Sequence, residues 1–295
     1  MIPLTFKGLY TALITPFTES GDLDERGLRE NLRFQVINKV DGIVVLGTTG
    51  EAPTLTSKEK ERIIEIAVEE VKGKAILLVG TGSYCTRTTI EQTKQAKIAG
   101  ADGALIVTPY YNRPTQEGLY RHFKAICETV SFPICLYNIP GRTGQNLQTE
   151  TLCRLMEFSS LVSIKEASGN ISQISDVIAC AKEKAPHLTI LSGDDALTLP
   201  LIALGGHGVI SVASNLMPGL MKEYVGASLE GSDKRAKDLH YQLSPLFKTL
   251  FIETNPIPIK AAMQLSGMAA GPCRLPLCEM NPIHLEELKR TVLSW

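Results

Sequence analysis

Residues 161–169 read LVSIKEASG: the apolar run Leu161, Val162, Ser163, Ile164 ends on Lys165 and is followed at once by Glu166, Ala167, Ser168 and Gly169. A short apolar run bounded by Ser and Gly reads as a buried strand. Strand alternation then puts Leu161, Ser163 and Lys165 on one face and Val162 and Ile164 on the other, with Lys165 presented at the strand's end. Residues 171–184 carry a helical period, so the stretch is one strand–helix unit. Working outward, β-prone runs recur at 9–15, 42–47, 75–81, 103–108, 133–138, 161–165, 188–192 and 208–212. Between them lie helix-period segments at 24–39, 57–71, 86–98, 116–129, 171–184 and 196–204. Thr56 or Ser57 and Asp22 or Asp24 are plausible helix starts, and Gly73 and Gly100 plausible stops.

Eight strand units in about 215 residues match a closed barrel in count and size. The competing open, doubly wound sheet loses its main support because no strand is followed by Gly-x-Gly-x-x-Gly. The predicted architecture is therefore α/β, a (β/α)8 TIM barrel over residues 1–216, with a helical C-terminal region over 217–295 broken by Gly231, Ser232, Pro256, Pro258, Gly267 and Pro276.

Composition narrows the function classes. The 295 residues are 44% hydrophobic, ample for a substantial core, and 30 basic against 31 acidic residues leave a net charge of -1. No basic block could neutralise a row of phosphates, so nucleic acid is not an expected partner. No uncharged apolar segment approaches the roughly 20 residues of a membrane helix, and a soluble cytoplasmic protein is expected. The seven cysteines are odd in number, dispersed and without Cys-x-x-Cys pairing, and are expected to be reduced packing residues. The five histidines show no metal-binding spacing, so no metal is expected.

The unusual residues fall at the predicted carboxyl ends of strands, where a barrel builds its site. Lys165 is either a desolvated amine, able to condense with a ketone, or a lysine that snorkels out of the sheet end. Its reference pKa of about 10.4 would have to be depressed for useful rates near neutrality. After the second strand, GTTGE (47–51) offers amides and hydroxyls to a small carboxylate, or is an ordinary glycine turn. After the fourth, TPYYNRP (108–114) carries Tyr110 and Tyr111 on a proline-stiffened loop, where aromatics also simply pack. The fifth ends in LYNIPGRTG (136–144), where alternation puts Cys135 and Tyr137 on one face, so that Tyr137 points where Lys165 points. Arg142 could hold a carboxylate in bidentate geometry or be solvated. LSGDD (191–195) and GVIS (208–211) end the last two strands with small residues against which a substrate could lie.

GTTGE, TPYYNRPTQEGL, YNIPGRTG, IKEASGN and LSGDD occur in one order along essentially the whole barrel, and NPIPIK at 255–260 follows beyond it. In this the chain resembles the pyruvate-dependent class I aldolases of the N-acetylneuraminate lyase superfamily, and among them the dihydrodipicolinate synthase family. The resemblance implies condensation of pyruvate with L-aspartate-4-semialdehyde on the route to diaminopimelate and lysine, with no cofactor beyond a covalent imine. By the same resemblance Lys165 is the Schiff-base lysine and Thr48 and Thr49 bind the pyruvate carboxylate. Tyr137, Thr48 and Tyr111, the last contributed by the neighbouring subunit, form a proton relay. Arg142 binds the semialdehyde carboxylate, Gly193 and Ile210 line the pocket, and the assembly is a homotetramer, a dimer of dimers.

The residue chemistry agrees: an iminium accepts electron density as the methyl group of pyruvate loses a proton, so a lysine takes the place of a Lewis acid. Sialic-acid lyases and 2-keto-3-deoxy sugar acid aldolases share the lysine and tyrosine. The Thr48, Thr49 pair and the arginine of GRTG favour the synthase. A non-catalytic barrel that only binds a keto acid is the reading from another class, and the full set Lys165, Tyr137, Tyr111 and Thr48 argues against it. The positions matching the lysine-inhibition site of the family are Ala52, Ser57, Lys60, Tyr84 and Thr88, with Tyr110 unchanged; the cation at Lys60 should oppose a cationic amino acid, so feedback by lysine is expected to be weak or absent.

Overall fold

Strands that bury both faces need a hydrogen-bonded neighbour on each edge and a helical layer outside, the situation of a parallel sheet joined by helical crossovers. The computed structural model describes residues 5–295 and meets that requirement. Its strands are β1 (Gly8–Ala12), β2 (Gly42–Val45), β3 (Ile76–Gly80), β4 (Gly103–Val107), β5 (Ile134–Asn138), β6 (Leu161–Glu166), β7 (Thr189–Ser192) and β8 (Gly208–Ser211). They close into a barrel in sequence order. β1 pairs with β2, and each strand from β3 to β7 with its successor, in parallel. The eight predicted strands are all present, and β6 runs one residue further than predicted, to include Glu166.

The helices are α1 (Glu25–Ile37), α2 (Ser57–Val71), α3 (Thr86–Ala99), α4 (Gln116–Thr129), α5 (Pro140–Thr143), α6 (Thr149–Leu155), α7 (Ile171–Lys184), α8 (Thr198–Ala203), α9 (Pro218–Leu229), α10 (Asp233–Thr249), α11 (Ile257–Leu265) and α12 (Pro282–Val292). Asp24 caps α1 through the amide of Gly27. Thr56 starts α2 in a reciprocal capping box with Glu59, which satisfies two donors that the first turn leaves open. Gly100 ends α3 in the left-handed region, at φ 99°. The segment before α8 winds as a 3-10 turn, Asp195–Leu197, because the Asp194 side chain accepts from the amide of Ala196. That leaves α8 shorter than predicted. Helices α5 and α6, between β5 and β6, were not foreseen in the sequence.

Two compact units make up the chain. One comprises residues 5–8 with Leu78–Ile210, the other Leu9–Leu77 with Ser211–Trp295. In the first, α4 buries Leu119, His122, Phe123 and Ile126, and α7 buries Ile174, Val177, Ile178 and Ala181, each set spaced for one helix face. The amide of Gly8 donates to the carbonyl of His207 at 2.8 Å, and a Cβ on Gly208 would lie 2.0 Å from the Gly8 carbonyl oxygen, so only glycine permits this approach. In the second unit, α10 buries Leu239, Leu243, Leu246 and Phe247.

The expectation that every cysteine is a reduced packing residue fails for one pair. Cys153 of α6 and Cys180 of α7 form a disulfide, their Cα atoms 6.4 Å apart; Cys85, Cys127, Cys135, Cys273 and Cys278 are free thiols. Without α6 on the map, nothing in the sequence set Cys153 beside Cys180. No helix among the described residues is long and apolar enough to cross a membrane.

Candidate active site

The register of β5 against β6 sets Cys135 opposite Ser163, Tyr137 opposite Lys165 and Asn138 opposite Glu166. Lys165 is 6% exposed, and its Nζ lies 4.3 Å from the centre of the Tyr137 ring. Burial is the main cause that lowers its pKa to about 8; Cys135 and Asp195 oppose the shift and Arg142 adds to it. Cys135 is itself pushed up to about 12 by burial. Burial also raises the Tyr137 pKa, against the pull of Arg142 and with the push of Asp194, so the phenol keeps its proton at neutral pH. A protonated phenol beside an amine close to neutrality is an acid and a nucleophile in one place.

Small residues leave the amine its room. A Cβ on Gly193 would stand 2.6 Å from Ala167 Cβ and 3.0 Å from Lys165 Cε. The Gly193 amide is tied to the Glu166 carbonyl at 2.8 Å, continuing the β6–β7 ladder past Ser192. Ile210 is buried in β8. Arg142 is exposed on the short helix α5, and its charge is felt at both Tyr137 and Lys165.

Behind the lysine, alternation sends Glu166 and Asn138 to the other face, into a polar cluster the sequence reading missed. Asn138 Nδ2 donates to Glu166 Oε2 at 3.2 Å and to Asn146 Oδ1 at 2.9 Å. Asn138 Oδ1 accepts from the amide of Leu147 at 3.0 Å, and Asn146 Nδ2 donates to Gln173 Oε1 at 2.7 Å. The Ser168 amide donates to Glu166 Oε1 at 2.7 Å; burial raises the Glu166 pKa against these bonds. These contacts lock the ends of β5 and β6 and the loop after Arg142. The available signal was the polar residue directly following each reactive one, Asn138 after Tyr137 and Glu166 after Lys165.

Tyr110 and Tyr111 part company. Tyr110 packs edge-on to Tyr84 with ring centres 5.5 Å apart, and burial raises its pKa. Tyr111 sits at φ 70°, a strained conformation for an aromatic residue, and is 91% exposed. Asn112 Nδ2 donates to the Tyr84 carbonyl at 3.0 Å, fixing the loop from which Tyr111 projects.

The GTTGE loop after β2 is built within its own unit. Thr49 is 3% exposed, and its Oγ1 accepts from Asn255 Nδ2 at 2.9 Å. Thr48 is partly exposed. The Gly50 carbonyl accepts from Thr15 Oγ1 at 2.7 Å. Glu51, at φ 53°, is buried and paired with Lys260 Nζ at 2.8 Å, while its other oxygen accepts from the Arg274 amide at 2.9 Å. Lys260 is 2% exposed and also donates to the carbonyls of Pro272 at 2.7 Å and Thr15 at 3.1 Å. The roles of Asn255, Lys260 and Glu51 went unread, since NPIPIK and GTTGE stood in the sequence without these contacts; the signal was a lysine set among Pro, Ile and Ala at the start of α11. Among the described residues, no group of three or more His, Cys, Asp or Glu side chains could hold a metal ion.

Comparison with known proteins bears on this geometry. The family model described as the dihydrodipicolinate synthetase family matches residues 5–294. The 4-hydroxy-tetrahydrodipicolinate synthase of Protochlamydia amoebophila is 62% identical over 96% of this chain and 94% of its own length. The crystal structure of dihydrodipicolinate synthase from Aquifex aeolicus superposes with a TM-score of 0.94 at 47% identity, covering 98% of both chains. A solved structure described as a monomeric dihydrodipicolinate synthase variant superposes with a TM-score of 0.95 at 43% identity, covering 98% of this chain and 96% of its own.

Proposed function

The chain belongs to the dihydrodipicolinate synthetase family and is a Schiff-base-forming lyase of the class I aldolase type; from that premise we propose how its own residues divide the work of condensing pyruvate with L-aspartate-4-semialdehyde. The neutral amine of Lys165 attacks the ketone carbon of pyruvate, water leaves, and an iminium forms. The methyl group then loses a proton as the iminium takes up the electron pair, and the resulting enamine attacks the aldehyde carbon of the second substrate, whose oxygen takes a proton. The semialdehyde's amino group attacks the regenerated iminium carbon, expels Lys165 and closes the ring. Tyr137 is the acid and base beside Lys165, supported by its phenol's retained proton and its contact with the amine. Thr48 and Tyr111 complete the proton relay, Thr49 holds the carboxylate of pyruvate, Arg142 holds that of the semialdehyde, and Gly193 and Ile210 bound the substrate. The single observation that carries this reading is the buried amine of Lys165 set 4.3 Å from the centre of the Tyr137 ring, where burial lowers its pKa.

Borohydride reduction in the presence of pyruvate, followed by peptide mass mapping, tests it. One reduced pyruvate adduct on Lys165, absent from Lys165→Ala, is the expected result; an adduct on another lysine overturns it. A coupled assay with pyruvate and aspartate semialdehyde separates this activity from sugar-acid cleavage and from a barrel that only binds.

Assembly belongs to the same proposal: a cytoplasmic homotetramer, built as a dimer of dimers, in which Tyr111 serves the neighbouring subunit's site. The 91% exposure of Tyr111, on a loop tied to the Tyr84 carbonyl through Asn112, supports it. Sedimentation equilibrium checks the assembly, and full activity in a monomer would remove Tyr111 from the relay. In the same proposal residues 1–216 carry the reacting groups, and the helical region 217–295 serves chiefly packing between subunits. Feedback by lysine is weak or absent in this reading, since Lys60 is a cation where a cationic effector would sit; inhibition at micromolar lysine would refute it.

A further inference from the structure

We propose that Asn255 is a positioning residue that sets the polarity of the Thr49 hydroxyl, turning it into a committed donor; this rests on the reading of Thr49 as the residue that holds the carboxylate of pyruvate. A carboxylate only accepts hydrogen bonds, whereas a threonine hydroxyl can donate or accept. Asn255 Nδ2 donates to Thr49 Oγ1 at 2.9 Å, with both side chains buried. One lone pair of Oγ1 is thereby occupied, and the hydroxyl hydrogen is left to point at another acceptor.

The surroundings keep this arrangement from relaxing. On one side of Thr49, Thr15 Oγ1 holds the Gly50 carbonyl at 2.7 Å. Next to it, Glu51 is clamped by Lys260 and by the Arg274 amide. On the other side, Asn255 lies five residues before Lys260 in the segment that starts α11. One short stretch of the C-terminal region therefore fixes the backbone of the β2 loop through Lys260 and the hydroxyl of that loop through Asn255. This gives the NPIPIK segment a part in substrate recognition: a buried amide, supplied from far along the chain, decides that the loop presents a donor.

The test is a mutant cycle read in steady-state kinetics. Thr49→Val alone should raise the KM for pyruvate roughly tenfold and leave the KM for the semialdehyde within about twofold. Asn255→Asp removes the donor and offers an acceptor, so Thr49 must donate to it and turn its lone pairs toward the substrate. It should raise the pyruvate KM by about tenfold or more when Thr49 is present, and by distinctly less in a Thr49→Val background, where only repulsion between its carboxylate and that of pyruvate remains. Asn255→Ala, which leaves the hydroxyl free to turn, should fall between wild type and Asn255→Asp and show the same dependence on Thr49. It decides the matter alone if the aspartate variant does not fold.

Equal effects of the Asn255 variants with and without the Thr49 hydroxyl overturn the inference, as does an equal rise in both KM values. An unchanged pyruvate KM in Thr49→Val overturns instead the reading on which the inference stands, and the inference with it.

Discussion

Tyr137 and Lys165 are direct partners across the β5–β6 ladder, and the lysine Nζ stands 4.3 Å from the centre of the tyrosine ring. The ring covers one side of the amine, and in the proposed mechanism its phenol supplies the proton. Tyr137→Phe keeps the ring and removes the proton. Turnover should fall by roughly 10²–10⁴-fold, the range for loss of a positioned acid or base, while borohydride still traps pyruvate on Lys165. Stopped-flow turnover and mass mapping of the same preparation check both halves.

Lys165 should titrate well below an ordinary lysine. Burial disfavours the ammonium and lowers the pKa from 10.5 to about 8. The neutral amine is the attacking form, so the trapping rate should climb as pH rises and level off above about 8; a climb continuing to 10.5 would contradict burial as the cause. The stability sign is the reverse of a favourable pair. The folded state resists the proton that the unfolded chain still binds, so the penalty is full below about 8 and fades as pH rises to 10.5. Lys165→Met should therefore raise the thermal midpoint at neutral pH.

Gly193→Ala should block the amine without unfolding the barrel. Its added carbon would lie 2.6 Å from Ala167 Cβ and 3.0 Å from Lys165 Cε, the segment that must swing to meet a ketone. Overpacking of this kind costs about 1–3 kcal/mol, survivable for a domain of this size. Adduct formation should slow far more than the melting temperature falls, and wild-type trapping kinetics would show that the space is not needed.

Arg142→Ala should act on the second substrate. A charge-assisted bidentate contact is worth about 1.5–3 kcal/mol, so kcat/KM for the semialdehyde should drop roughly tenfold or more. The rate of pyruvate trapping should change little. A comparable loss in both would mean that Arg142 acts through Lys165, whose pKa it helps to lower, and not through the carboxylate.

Lys260→Met should be the most destabilising of these changes. The Lys260–Glu51 pair is nearly inaccessible on both sides, and removing one partner of a buried pair costs about 3–5 kcal/mol because the other charge is stranded. Urea unfolding at neutral pH measures it. A loss below about 1 kcal/mol would show that the Arg274 amide alone suffices for Glu51.

The barrel was legible because its signal is local and repeated. Residues 161–165 announce a buried strand by composition, and seven similar runs alternate with helical periods. Lys165, Tyr137 and Arg142 stood out because a charged or phenolic group at the end of an apolar run has few structural reasons to be there. The short helices α5 and α6 escaped notice because one turn or two carries too little periodicity to read, and with them went the Cys153–Cys180 pairing.

Sequence by itself determined the strand count, the alternation that gives Lys165 and Tyr137 a common face, and the chemistry those side chains can perform, since each depends on neighbours only a few residues apart. The tertiary structure alone decided how far the Lys165 pKa falls, that Gly193 must lack a side chain, and that Asn255 and Lys260 brace the loop of Thr49 and Glu51 from more than 200 residues away. Burial, close approach and hydrogen bonding between distant segments are properties of the packed chain, and no local pattern encodes them.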